Sequence, residues 1–106
     1  MEIAFAPTTL QSAAVATGNG TVLNCNNYET VTLQVSGTFV GTVSFEGSVD
    51  GTNFAAVPFI NSAGTNATTA TAAGIFISAG TGYALLRARI SAYTSGSITV
   101  VAGGKG

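Results

Sequence analysis

Between Thr30 and Ser36 the sequence alternates strictly, with Val31, Leu33 and Val35 in one phase and Thr32, Gln34 and Ser36 in the other. A period of two is the repeat of an extended strand, whose successive side chains point to opposite faces. The same period returns in Thr42 to Asp50, where Val43, Phe45 and Val49 share a phase. It returns again in the longest run, Tyr83 to Tyr93, with Ala84, Leu86, Ala88, Ile90 and Ala92 in one phase. Thr and Val stand where strands favour them in the first two runs, and helix-favouring Leu, Glu, Lys and Gln are sparse, so the chain is read as all-β.

Turn chemistry separates the runs. Gly37 to Gly41 interrupts the first two, and Asp50-Gly51-Thr52-Asn53 forms a turn in which Asp bonds its own backbone, sending Phe54 to Phe59 back as an antiparallel partner. Pro58 marks that partner as an edge or a strand end. Asn61 to Ala73 contains only Asn, Ser, Ala, Gly and Thr, which predicts a surface loop or weak edge strand available to a partner. Ile75-Phe76-Ile77 is a short strand, Gly80-Thr81-Gly82 and Thr94-Ser95-Gly96 are turns, and Ser97 to Ala102 closes the series. Thr8 to Ala16 and Thr21 to Cys25 add two weaker strands. The sum is a single-domain antiparallel β-sandwich of roughly seven to nine strands, jelly-roll or immunoglobulin-like in packing. One domain is expected over residues 1–106, with an N-terminal arm over about residues 1–10 and a glycine-rich C-terminal tail, 103–106, too flexible to hold itself down.

Charge is the unusual quantity. Only 7% of residues are charged, against about 25% in ordinary domains, while 46% are apolar. Either hydroxyl and amide groups solvate the surface or other subunits cover much of it. A net charge of −1 gives no field that steers the chain to nucleic acid or anionic lipid. No apolar run approaches the ~20 residues that span a bilayer, and Glu2 stands where a signal peptide is basic. A soluble chain made in a cytoplasm, with no nucleic-acid or membrane partner, is expected.

Catalytic and metal-binding residue types are nearly missing. The sequence has no His and one cysteine, Cys25, which excludes an intramolecular disulfide, the usual zinc sites and a Ser/His or Cys/His nucleophile. Glu46 and Asp50 form the best carboxylate pair, yet four strand residues separate them by about 13 Å, beyond the ~9.5 Å limit for an inverting glycosidase. A calcium site at Asp50 to Asn53 lacks enough carboxylates, and Gly18-Asn19-Gly20 lacks the Lys and helix of a phosphate loop. Asn19-Gly20-Thr21 and Asn66-Ala67-Thr68 match the glycosylation acceptor pattern but have no secretion signal to route them. No catalytic residue, cofactor or metal is assigned.

The residues singled out as a protein interface are Tyr83, Leu85, Arg87, Arg89 and Tyr93, all in the outward phase of the longest run. Arg and Tyr are enriched at interfaces because both bury area while keeping a polar contact. The competing reading pairs the two arginines with Glu46 or Glu29 across a sheet, where they serve only to keep it solvated.

Two stretches, Val31 to Phe59 and Tyr83 to Val101, resemble small β-rich virion proteins of tailed bacteriophages. The resemblance is carried by two hairpins, SGTFVGTVSFEGSVDGTNF from Ser36 and RARISAYTSGSITV from Arg87, and covers a little under half of the chain. It implies a particle component: a capsid decoration or cement protein that binds the major capsid protein or other virion proteins and copies of itself. The alternative it implies is a tail, neck or fibre module, one that binds host-surface carbohydrate. Phe54 stands where the similar proteins often carry Trp, which removes a platform that sugar binding favours. The expected location is the virion, after synthesis in the host cytoplasm. Phe45 is assigned to the core in either case, and Phe45→Ala is expected to cost about 3–5 kcal/mol; a negligible fall in melting temperature would mean that the faces of its strand are reversed.

Overall fold

The computed structural model describes residues 7–26, 28–79 and 82–105, which form strands and connecting turns. The strands are Thr8–Ala14 (β1), Leu23–Asn24 (β2), Thr30–Ser36 (β3), Phe39–Ser48 (β4), Ala55–Ala56 (β5), Phe59–Asn61 (β6), Asn66–Ala67 (β7), Thr69–Ala70 (β8), Gly74–Ser78 (β9), Leu85–Gly96 (β10) and Ile98–Lys105 (β11). The count exceeds expectation because β2, β5, β7 and β8 are two-residue bridging strands. One sheet has the order β1-β11-β3-β9-β6-β7 and the other β2-β10-β4-β5, with β8 also on β4; every pairing is antiparallel. The two sheets stack as a sandwich, the expected class.

The central strands are two halves of one long ribbon. β3 pairs with β11 from Thr30↔Lys105 to Ser36↔Thr99, and β4 continues with β10 from Phe39↔Gly96 to Ser48↔Leu85. The ribbon therefore crosses from one sheet to the other at a corner formed by Gly37-Thr38 and Ser97. There the Ser97 amide donates to the Thr38 carbonyl at 3.2 Å. Gly37 (φ 105°) and Gly96 (φ 88°) both lie in the left-handed region. A Cβ on Gly37 would collide with the Ser97 carbonyl oxygen, and one on Gly96 with that of Thr38. Each crossover fills the space that the other's side chain would need.

Bending the ribbon brings its inward stripes together. Val31, Leu33, Val35, Ile98, Val100 and Ala102 from one half face Val43, Phe45, Leu86, Ala88 and Ile90 from the other, all buried. Phe45 sits at the centre, its ring 5.1 Å from both Phe59 and Phe76 in the opposite sheet and tilted by 54° and 55°. This geometry adds about 0.5–1.5 kcal/mol per pair to the area buried. The core assignment of Phe45 is met.

Four details differ from the sequence reading. Val49 is exposed, because β4 ends at Ser48 and the chain has already entered the Asp50 turn. Ala92 is exposed because a bulge between Ile90 and Ala92 shifts the phase of β10. Phe54 to Phe59 divides between sheets: Ala55–Ala56 returns on β4, while Phe59 begins β6 in the other sheet beyond Pro58. The supposed tail is a strand, with Gly103, Gly104 and Lys105 paired to Thr32, Val31 and Thr30. Gly104 lies against the Tyr28 ring so closely that a Cβ would overlap it. Gly106 lies outside the described residues. So do residues 1–6 of the expected arm, whose remainder, Thr8 to Leu10, belongs to β1.

At the corner, Gly96→Ala combines an unfavourable φ with a backbone collision, whereas Gly64, also at positive φ (81°), has open space around it. Gly64→Ala should cost about 1 kcal/mol or a little more, and Gly96→Ala at least about 3 kcal/mol, a fall of roughly 12 °C or more in melting temperature. Equal losses for the two variants would refute the interlocked corner.

Candidate functional site

The outward face of β4 and β10 carries three of the six described charged residues, Glu46, Arg87 and Arg89. Register places Arg87 directly opposite Glu46, and Arg89 opposite Ser44. Arg87 Nε donates to Glu46 Oε1 at 2.8 Å, and Arg89 Nη1 reaches Glu46 Oε2 at a longer 3.4 Å. The Arg87 guanidinium also lies over the Phe54 ring, 4.0 Å from its centroid, a cation–π contact. Beside them the Ser44 and Ser91 hydroxyls share a hydrogen bond of 2.7 Å.

One carboxylate thus serves two guanidinium groups, unequally. The side chains of Glu46 and Arg87 are 14% and 19% exposed, while that of Arg89 is 43% exposed. The Arg89 contact, the exposed one, falls in the range of about 0–1 kcal/mol for surface ion pairs, while the Glu46–Arg87 pair beneath it is largely buried. It leaves a single positive charge at Arg89, flanked by serine hydroxyls. Such a face can accept a carboxylate or a carbonyl oxygen.

The five singled-out residues do not form one face. Leu85, Arg87 and Arg89 alternate outward, with Leu85 opposite Ser48 and near the Gly51 turn. Tyr93 lies beyond the bulge, opposite Gly41, where its ring packs against the core and its hydroxyl donates to the Gly96 carbonyl at 2.7 Å. Tyr83 precedes β10 and closes the end of the core, its ring against Gly47. The Tyr83 hydroxyl is buried, with no hydrogen-bond partner among the described residues. Burial, with a smaller contribution from the nearby Cys25 thiol, pushes its pKa up to about 12. Burial likewise pushes the Cys25 thiol up to about 11, so it stays protonated and is a poor nucleophile at neutral pH.

Of the two readings of the arginines, pairing with Glu46 is the geometry observed; Glu29 makes no ion pair with them. Phe54 was missed as a member of the cluster. Its contact with Arg87 depends on β5 folding back onto β4 while β10 lies on the other side of β4, and no local pattern encodes that.

Asp50 does a different job from Glu46. Its Oδ1 accepts from the Thr52 and Asn53 amides, both at 2.8 Å, and from the Ser48 hydroxyl at 3.1 Å, while its Oδ2 accepts from Asn53 Nδ2 at 2.8 Å. These bonds, that from the Asn53 amide foremost, hold its carboxyl well below the usual carboxylate range. Its oxygens are committed to the turn. Among the described residues no three His, Cys, Asp or Glu side chains gather as a metal site.

No family model matches the sequence, and neither does any curated protein. Two solved structures are similar in fold. The PBSX exported protein XepA superposes with a TM-score of 0.90 at 16% identity over 97% of this chain, which spans 38% of that protein's length. The SPBc2 prophage-derived protein YomS superposes with a TM-score of 0.77 at 10% identity, over 98% of this chain and 96% of that one. The same sandwich therefore occurs both as nearly a whole protein and as part of a longer one.

The Asp50 turn sets a pH dependence. A carboxyl with a depressed folded-state pKa contributes stability above its unfolded value, about 3.9, and that stability is lost as the pH falls further. Asp50→Asn should melt below the parent at pH 7 and lose less on acidification from about pH 5 to pH 2. Parallel melting-temperature curves for the two proteins would show that the turn does not depend on the charge.

Proposed function

We propose that this chain is a bacteriophage structural module that works by attachment rather than catalysis, and that its place is the capsid shell, as a decoration protein. The observation that carries the phage assignment is the likeness to a prophage-derived protein over nearly the full length of both chains. The resemblance of the Ser36 and Arg87 hairpins to virion proteins supports it independently. Attachment is favoured by what the surface offers: a sandwich with few charges, one of its faces bearing Arg89 beside two serines. On this reading Leu85, Arg87 and Arg89 contact the major capsid protein or a neighbouring copy. Each contact buries on the order of several hundred Å2, and repetition over a symmetric shell multiplies it.

A second reading has its own support. The protein XepA is named as exported, which favours a module that acts outside the particle, after release from the producing cell. A fibre or tail module that binds carbohydrate has less support, since the Phe54 ring is already covered by Arg87 and the chain has no Trp.

Mass spectrometry of gradient-purified particles, compared with lysate and medium, separates these readings. A stoichiometric copy number in particles is expected. Recovery in the medium alone would overturn the shell assignment in favour of export. Within the shell reading, changing both Arg87 and Arg89 to Ala should abolish incorporation into particles while far-UV circular dichroism stays unchanged; undiminished incorporation would return the pair to a solvated face.

A further inference from the structure

Between β1 and β2 the chain crosses one side of the sandwich, from the edge of the first sheet to the edge of the second. Two anchors hold this crossing. The Gly18 amide donates to the Ile90 carbonyl at 3.1 Å and the Gly18 carbonyl accepts from the Ile90 amide at 2.8 Å, which ties the segment to β10. The Thr21 amide donates to the Leu10 carbonyl at 2.9 Å, which ties it to β1. Gln11, buried in β1, spans the same gap, its Nε2 donating to the Gly18 carbonyl at 3.2 Å and to the Ala88 carbonyl of β10 at 2.9 Å. These bonds latch the two sheets together, and Asn19-Gly20 lies between the anchors.

That pair is chemically fragile. Asparagine is among the thermolabile residues, because its side-chain carbonyl carbon lies within reach of the next backbone nitrogen. A side chain on the following residue hinders the attack, and glycine has none. The fold itself requires glycine at position 20: its φ is 69°, and a Cβ there would collide with the Leu10 carbonyl oxygen and the Gln11 side-chain amide. Asn19 and Gly20 are exposed, and among the described residues neither the Asn19 side chain nor the Gly20 amide makes a hydrogen bond. Other asparagines are restrained. Asn24 and Asn61 accept backbone amides through Oδ1, and Asn53 Nδ2 is held by Asp50. Asn19-Gly20 is the sequence's only Asn-Gly pair. Asp50-Gly51 is its nearest equivalent, but there the Gly51 amide donates to the Ser48 hydroxyl at 2.9 Å and the carboxylate is bound into the turn.

We propose that Asn19 is a site of spontaneous deamidation and that its backbone-lengthened product releases the latch. The Gly20 nitrogen loses its proton and attacks Asn19 Cγ within the same chain. The new N–Cγ bond closes a five-membered imide, and the Cγ–Nδ2 bond breaks, Nδ2 leaving as ammonia. Water then opens the ring, giving a carboxylate and a proton. Opening at Cγ restores the ordinary backbone and leaves an aspartyl side chain. Opening at the backbone carbonyl leaves the chain running through Cγ, an isoaspartyl linkage with one extra backbone carbon. Either product adds one negative charge to a chain whose net charge is −1. Only the isoaspartyl product changes the span between the Gly18 and Thr21 anchors.

Incubation of the full chain in mild alkali tests this, because the attacking nitrogen must lose its proton. An acidic form should accumulate, faster as the pH rises, with one ammonia released per chain, and peptide mapping should place aspartyl and isoaspartyl products at position 19. Asn19→Gln, which would have to close a six-membered ring, should form it at least about tenfold more slowly. Once the products are separated, hydrogen exchange of the Ile90 amide, read by NMR, reports on the latch. It should be at least about tenfold faster in the isoaspartyl form than in the parent, and unchanged in Asn19→Asp, which carries the same charge on an ordinary backbone. Absence of the acidic form, its mapping to another asparagine, or equal accumulation in Asn19→Gln would overturn the site. Ile90 exchange that is no faster in the isoaspartyl form, or equally fast in Asn19→Asp, would overturn the release of the latch.

Discussion

The sandwich depends on one corner, where Gly37-Thr38 and Gly96-Ser97 cross with each backbone occupying the space of the other's missing Cβ. Because of that crossing, the pairs β3/β11 and β4/β10 form a single antiparallel ribbon rather than two separate hairpins, and the ribbon folds its own inward stripes against each other. The other strands extend the two halves, with β6 and β7 following outward from β9. In the first sheet β1 joins β11 and β9 joins β3; in the second β2 joins β10, while β5 and β8 join β4. Phe45, with Phe59 and Phe76, then packs across the gap that the bend has set.

The corner also accounts for the turn and core residues in the Ser36 and Arg87 hairpins. Ser36-Gly37 and Ser95-Gly96 are the two sides of the crossing, and the residues that follow them, Phe39 to Phe45 and Ile98 to Val100, are the start of each returning strand. Those letters specify a fold. Arg87 and Arg89, which open the second hairpin, lie away from the corner on the far part of β10, and what they touch is decided by Glu46 and Phe54.

Strand identity was legible because alternation is local, and Thr30 to Ser36 occupies the strand that its pattern predicts. Phase was legible only as far as the ladder stays regular. The bulge after Ile90 reverses the outer half of β10, so Ala92 turns out and Tyr93 turns in, although the sequence shows one unbroken run. The C-terminal glycines show the opposite limit. Their intrinsic preference is against strand, yet partner backbone from β3 and the Tyr28 ring hold them in one. For the site, the residue types were readable and the company was not: Glu46 and Phe54 come to Arg87 through pairings between segments far apart in sequence.

The few charges are mostly spent within the molecule. Glu46 is shared by two arginines and Asp50 is bound into its turn, which leaves Glu29 and Lys105 as the described charges free of such bonds and Arg89 held only by its longer contact. Long-range steering needs clustered charge of one sign, whereas Glu29 and Lys105 are neighbours of opposite sign, the Glu29 amide donating to the Lys105 carbonyl at 2.8 Å, and Arg89 lies on β10 in the other sheet. Association by any of the faces must then rest on shape, hydroxyl and amide contacts and apolar area. Encounter rates fall in the unsteered range of about 10⁵–10⁶ M⁻¹s⁻¹, with little dependence on salt. That regime suits a subunit whose partner is displayed many times on one surface, where repeated weak contacts replace one tight contact. It suits poorly a chain that must find a dilute, charged target by diffusion.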